Sequence, residues 1–224
     1  MEIVNQHIGD INSKTIFKNN ILCAQFIRDN LNIPLLRDVQ PEDLEDVTEH
    51  FNSYFGIEYE ADTVKRIRIR IEDYEESFYM ISLIDHKSDV DYNVAMQLLK
   101  YMACIWAEYE KTFLAEHGRI SKNKSFKYPP IIPVVYYEGK REWTADMHLR
   151  DRIMFSDILR PYIPDFKYIV VRNHDFSDEE LLDRKDEMSL LMLINKFQTA
   201  DDITNFRDIE KDKIDSIIHN SPEQ

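Results

Sequence analysis

The sequence predicts an α/β fold in which a central mixed sheet is flanked by helices. Three observations carry this expectation. Residues 64–71 set Val64, Ile67, Ile69 and Ile71 in partial alternation with Arg66, Arg68 and Arg70, the period-two signature of a half-buried strand. Residues 78–84 (FYMISLI) and 131–137 (IIPVVYY) are apolar on both faces, as central strands are. Around these runs lie segments whose apolar residues recur at helical spacing.

In chain order, residues 16–31 (IFKNNILCAQFIRDNL) read as a helix, with Pro34 as its stop. Pro41-Glu42-Asp43 opens a second, acidic helix reaching about Phe51, because proline and carboxylates both suit a first turn. After Asp62 comes the alternating strand. Residues 72–77 form a polar turn, so the two early strands make an antiparallel hairpin with a loop of about five or six residues. Residues 92–111 return to helix, with Val94, Leu98, Tyr101 and Ile105 on one stripe. A basic loop over 118–128 leads to the strand at 131–137, closed by Glu138-Gly139-Lys140. A short helix near 148–159, a strand at 168–172 and a long helix over 177–197 follow. Ser177 and Glu180 have the spacing of a capping box. Residues 1–197 thus read as one domain and 198–224 as a charged helical tail.

A hydrophobic content of 43% can fill a core and argues against disorder. No apolar run reaches about 18 residues, so no membrane partner is expected. Residues 1–10 are polar and lack an apolar signal core, which points to the cytoplasm. Cys23 and Cys104 sit within apolar helical patterns and read as core residues of a reducing compartment; they form no zinc motif. The net charge of −14 weighs against a polyanion partner. Basic groups nevertheless gather at 65–70 and 119–141, where they can offset phosphates locally.

The chemistry-bearing residues are Asp62, Asp85 and Lys87. Positions i and i+2 of a strand share a face, so Asp85 and Lys87 point the same way. A hairpin brings Asp62, at the start of one strand, beside the end of the next. Two carboxylates and an ammonium then converge at one sheet end. Carboxylate oxygens suit Mg²⁺ or Mn²⁺, which polarises a phosphoryl oxygen, while a nearby lysine orients or deprotonates water. His86 falls on the opposite face and can offer a metal its backbone carbonyl rather than its ring. Gln97 and Tyr101, at i and i+4 of one helix, project together and can support the lysine or a phosphate.

The succession Asp62, Asp85-x-Lys87, Gln97-xxx-Tyr101 resembles the PD-(D/E)XK nuclease superfamily, in the branch carrying a QxxxY helix. More closely, residues 82–106 (SLIDHKSDVDYNVAMQLLKYMACIW) resemble the Rpn family of recombination-promoting nucleases, the YhgA-like transposases. Residues 128–144 and 159–166 are similar to that family's strand and turns. The resemblance implies a restriction-endonuclease-like fold and a metal-dependent DNA endonuclease tied to recombination, mobile elements or phage defence. It makes Asp62, Asp85, Lys87, Gln97 and Tyr101 the catalytic set, with Asp62, Asp85 and His86 at the metal. Relative to the family's usual pattern, Asp85 replaces a glutamate and Lys87 often a glutamine.

Other readings of these residues stand beside this one. Tyr101 also fits a core aromatic, and Asp85-x-Lys87 a surface ion pair. Glu45 and Glu49, one helical turn apart, offer an extra metal carboxylate or a solvated acidic face. Arg66, Arg68 and Arg70 either track DNA or offset acidic neighbours. Lys122, Lys124 and Lys127 belong to a loop that could close over DNA or be soluble surface. Trp143, Tyr136 and Tyr137 read as packing rather than base stacking, and Asp165 as a turn residue or a catalytic one. The rival to the enzyme is a nuclease-fold module that binds DNA or a longer relative with little chemistry. A homodimer suits double-strand cleavage, which needs two sites.

Overall fold

The structure, a computed structural model, describes residues 17–48, 63–71, 74–85, 90–118 and 124–196. Helical spacing of Leu22, Cys23, Phe26 and Ile27 produces the first element, α1 (Asn20–Asn30). Asn19 caps it, its Oδ1 accepting from the Ile21 and Leu22 backbone N–H groups at 2.8 and 3.3 Å. Two of the donors left open at a helix start are thereby satisfied.

The first part of the acidic helix expected from Pro41 to about Phe51 is a 3-10 turn, Pro41–Asp43, and residues 49–51 lie outside the described residues. Asp43 closes the turn by accepting from the Gln40 backbone N–H at 2.9 Å. The chain then extends as β1 (Leu44–Asp46), which pairs antiparallel with β2 (Thr63–Ile71). Glu45 therefore occupies a strand rather than a helix; Glu49 lies outside the described residues.

β2 pairs antiparallel with β3 (Tyr74–Asp85) in a register running from Ile71↔Tyr74 to Thr63↔Ser82. Only Glu72 and Asp73 separate the strands, so the longer polar loop expected over 72–77 is mostly strand. That register sets Glu75 opposite Arg70 and Ser77 opposite Arg68.

From β3 the chain passes to α2 (Val94–His117), then returns to β4 (Ile131–Tyr137), parallel to β3. Trp106 holds the returning segment, its indole N–H donating to the Pro129 carbonyl at 2.9 Å. The next crossover contains a 3-10 turn at Leu149–Arg152 and one α-helical turn, α3 (Ser156–Leu159), where a single helix was expected. β5 (Ile169–Arg172) then lies parallel to β4. The sheet order β1-β2-β3-β4-β5 is mixed, as the sequence predicted.

The helix expected over 177–197 is two helices, α4 (Asp178–Asp183) and α5 (Glu187–Asn195). Ser177 caps the first by accepting from the Glu180 backbone N–H at 3.1 Å. Lys185 turns left-handed at φ 57°, and Asp186 caps the second helix by accepting from the Ser189 N–H at 2.8 Å. A new cap with a reversed backbone restarts the helix in another direction.

Two apolar layers enclose the sheet. On one face α1, α4 and α5 bury Phe26, Leu181 and Met192 against Ile67, Phe78, Met80, Val134, Tyr136 and Val171. Phe17, Phe26 and Tyr136 meet edge to face, with ring centroids 4.8 to 5.8 Å apart. Such pairs add about 0.5–1.5 kcal/mol each beyond area burial. On the other face α2 packs Leu98, Tyr101 and Ile105 over Val64, Ile131 and Val135. Among the described residues, no helix is long and apolar enough to cross a membrane.

Candidate functional site

Strand register brings the termini of four strands to one end of the sheet. Thr63, the first residue of β2, pairs with Ser82; Asp85, the last of β3, lies three residues further along. Across from it, Asp85 pairs with Tyr137 at the end of β4, and Tyr137 pairs with Arg172 at the end of β5. This is the carboxyl end of all three parallel strands, the side on which open α/β sheets commonly bind ligands.

Alternation decides the face. Tyr79 of β3 packs into the α2 layer, whereas Phe78 and Met80 pack into the opposite one. Position 85 is in phase with Tyr79, and so belongs to the face covered by α2. Gln97 and Tyr101 lie on that helix. Tyr101 is buried within the same layer, and the Gln97 amide reaches its hydroxyl at 3.4 Å. The structure therefore brings Gln97 and Tyr101 together on the face that carries position 85. Tyr101 is both a core aromatic and the partner of Gln97.

Asp62, His86 and Lys87 lie outside the described residues, as do Glu49 and Lys122. Lys124 and Lys127 are exposed. Among the described residues, no group of three or more His, Cys, Asp or Glu side chains is placed to hold a metal ion.

An aromatic wall stands beside the site. Tyr137 meets Trp143 edge to face at 5.0 Å, and the Trp143 indole N–H donates to the Tyr168 hydroxyl at 3.2 Å. Gly139 makes the turn under this wall possible, since a Cβ there would fall 2.3 Å from the Tyr137 ring. The same loop reaches the start of α2, where the Tyr92 and Thr144 hydroxyls meet at 2.8 Å. Burial pushes the Tyr168 phenol up; the Trp143 hydrogen bond opposes this, and the Asp146 and Asp91 charges add to it. The packing roles expected of Trp143, Tyr136 and Tyr137 match these contacts.

Arg66 pairs with an acidic neighbour, whereas the contact of Arg68 is to the backbone. The Arg66 guanidinium bonds the Glu45 carboxylate, with its Nε–H donating at 3.0 Å, and Arg68 donates to the Glu42 carbonyl at 2.9 Å. Asp165 accepts from the Arg150 backbone N–H at 3.3 Å and from its guanidinium at 2.9 Å, contacts that suit the turn-holding reading of the two open to it. Burial raises both thiols, Cys23 to about 12, so both are protonated at neutral pH.

Two features escaped sequence reasoning. Lys65 is fully buried on the α1 face, where its ammonium donates to Asn20 Oδ1, the Lys18 carbonyl and Asp46 Oδ2 at 2.9, 3.1 and 3.2 Å. Its signal was the imperfect alternation of β2: Lys65 is in phase with Ile67 and Ile69, and therefore occupies a core position. The second feature is the end of β5. Arg172 approaches Asp175 at 3.3 Å through Nη1, while its Nε is buried and has no hydrogen-bond partner. His174 Nε2 is likewise buried without one. Burial lowers the His174 pKa, the Lys196 and Lys140 charges lower it further, a hydrogen bond to the Glu138 backbone opposes them, and Arg172 adds to the lowering. The imidazole is therefore neutral at pH 7. The available signal was a charged residue closing an apolar strand, as Asp85 closes β3.

The fold and the strand-end site define an α/β protein with a five-stranded mixed sheet between helical layers. A family model described as putative transposase, YhgA-like, matches residues 10–223, and the chain belongs to that family. No curated protein and no solved structure matches it.

Proposed function

We propose that this chain is a metal-dependent DNA endonuclease with a PD-(D/E)XK-like fold, acting in the cytoplasm. The observation that carries the reading is the shared sheet end. The first residue of β2 lies beside the last residues of β3, on the carboxyl side of three parallel strands, and Gln97 and Tyr101 belong to the helix covering that face. Membership of a transposase-like family supports DNA as the substrate.

In this reading Asp62 and Asp85 supply carboxylate oxygens to Mg²⁺ or Mn²⁺, joined by the His86 backbone carbonyl. The donor set fits the metal, because hard divalent cations prefer oxygen ligands. When bound, the metal supplies Lewis acidity toward a phosphoryl oxygen. Lys87 orients the attacking water and takes up its proton when its own pKa is lowered by the site. Gln97, steadied by its bond to Tyr101, holds Lys87 or a non-bridging phosphate oxygen. Cleavage of both strands suits a homodimer that presents two such sites.

Plasmid cleavage with Mg²⁺, Mn²⁺ or EDTA, run beside Asp85→Ala, tests the proposal. The expected outcome is metal-dependent nicking or linearisation that the folded variant has lost. Wild-type cutting by Asp85→Ala would remove the assigned site. No cutting by folded wild-type protein under any metal would favour the binding module, the reading to which the net charge of −14 lends weight.

A further inference from the structure

We propose that the crossover between β4 and β5 carries the surface through which two copies of this chain pair about a two-fold axis. The inference goes beyond the nuclease reading and stands without it, because exposure, area and charge alone define the surface.

Met154, Phe155, Ile158, Leu159 and Tyr162 fall within nine residues and are 42 to 85% exposed. Among the described residues, other exposed large apolar side chains, such as Leu35, Leu114 and Ile194, stand far apart along the chain. Ile158, Leu159 and Tyr162 follow helical spacing through α3 and the 3-10 turn Arg160–Tyr162, so they share one outward side. Both ends of the segment are anchored. Leu149, Ile153 and Phe166 pack into the α2 layer, His148 bridges Lys167, and Asp165 binds Arg150. The core is therefore supplied by these inward residues, and the outward set is surplus to it. Phe155 adopts φ 61°, a left-handed backbone that bulky residues rarely take, and so presents its ring to the outside.

The area suits a dimer. Side chains of this size and exposure present on the order of 700 Å² of surface. Apolar patches on monomers rarely exceed about 600 Å², whereas a standard interface takes about 800 Å² from each partner. Met, Phe, Tyr and Arg are also the residue types that interfaces concentrate.

Charge selects a second copy as the occupant. Arg150, Arg152 and Arg160 accompany Asp151 and Asp157 along the segment, so it is close to neutral in a chain of net charge −14. Two such chains repel each other broadly, and a near-neutral apolar face is where they can approach. Nucleic acid calls for a basic face instead. Arg150 and Arg152 are already paired, with Asp165 and Asp146, and Asp151 lies beside Arg150. Asp157 and Arg160 are exposed and have no ion-pair partner among the described residues. A two-fold interface is self-complementary, with residue i of one copy meeting j of the other and j meeting i. Asp157 then meets Arg160 of the partner subunit, twice in each dimer.

The test is light scattering behind size exclusion over a concentration series of the chain, with thermal unfolding run on every variant. Wild type is expected to dimerise with a micromolar or tighter dissociation constant. Ile158→Asp, at an exposed position, should stay folded and weaken the dimer about a hundredfold. Asp157→Arg and Arg160→Asp should each weaken it about tenfold, because each sets like charges against one another at both contacts. Mixing those two variants should restore pairing to within about threefold of wild type, since both contacts of the mixed dimer then join opposite charges. Only reciprocal contact between copies of this chain gives that rescue. A wild type that stays monomeric at about 100 μM overturns the proposal. So does a dimer that folded Ile158→Asp leaves unchanged, and so do charge swaps without effect or without rescue on mixing. If wild type is a monomer and Ile158→Asp instead weakens its binding to a short DNA duplex, the surface belongs to nucleic acid and the proposal fails. A wild type that dimerises as expected but cuts no plasmid counts against the nuclease reading alone.

Discussion

Lys65 and Arg172 place cations on the same sheet, and the protein treats them differently. Lys65 enters the α1 face near the start of β2 and is fully buried, yet each of its three N–H groups meets an acceptor. Asp46, one of those acceptors, is itself held by Thr48, whose hydroxyl and backbone N–H donate to it at 2.6 and 3.0 Å. Thr48 in turn accepts from the Val64 backbone N–H at 2.8 Å, tying the network to β2. Arg172 is 23% exposed, at the opposite side of the sheet, and keeps a buried donor unspent. Completeness of hydrogen bonding separates the two: one cation is tied into the fold by every donor, the other by an ion pair to Asp175 at the sheet edge.

The comparison can be broken at three points. Lys65→Ala should give the largest change, a loss of about 3 kcal/mol of unfolding free energy, because it strips the ammonium from three acceptors at once. Urea unfolding measures this, and a loss below about 1 kcal/mol would show that water replaces the network easily. Asp46→Asn should cost less, about 1–2 kcal/mol at neutral pH. Burial raises the Asp46 carboxyl, but hydrogen bonds from Thr48 and the Lys65 charge outweigh it, leaving the pKa below 3.8. A lowered carboxyl contributes stability that is fully present above its unfolded pKa and is lost as pH falls through the folded one. The gap between wild type and Asp46→Asn should therefore be constant near neutrality and close below 3.8, as unfolding at a series of acid pH values would show. The smallest stability change belongs to Arg172→Ala, within about 0.5 kcal/mol, since the ion pair it removes, to Asp175, is partly exposed to solvent. A loss as large as that of Lys65→Ala would mark Arg172 as a structural tie.

Legibility in the sequence followed the length and regularity of each element. β4 and α2 declared themselves through long apolar patterns, and so did the order of strands and helices that gives a mixed sheet. β1 did not, because three residues cannot display a period of two and Pro41-Glu42-Asp43 imitates a helix start. The break before Glu187 was hidden because Lys185 adopts a left-handed backbone without the glycine that usually announces one. Of the site, the Gln97–Tyr101 pairing was legible from i,i+4 spacing, and the sheet end holding Asp85 from the hairpin. Lys65 was misread because a lysine among alternating arginines looks like solvent surface, although its phase along β2 is that of the core. The open donor of Arg172 depends on its neighbours in space, which no local pattern records.

The β2–β3 register has a consequence for how the site tolerates change. Which face position 85 occupies is decided by Phe78 and Met80 being buried on the other one. A slip of β3 by a single residue would carry position 85 to the α1 side and turn both of those side chains out of their layer. The core therefore guards the address of the site, and the residues at that address remain free to vary. A lineage could exchange one carboxylate for another, or abandon chemistry for binding, without the sheet losing its alignment.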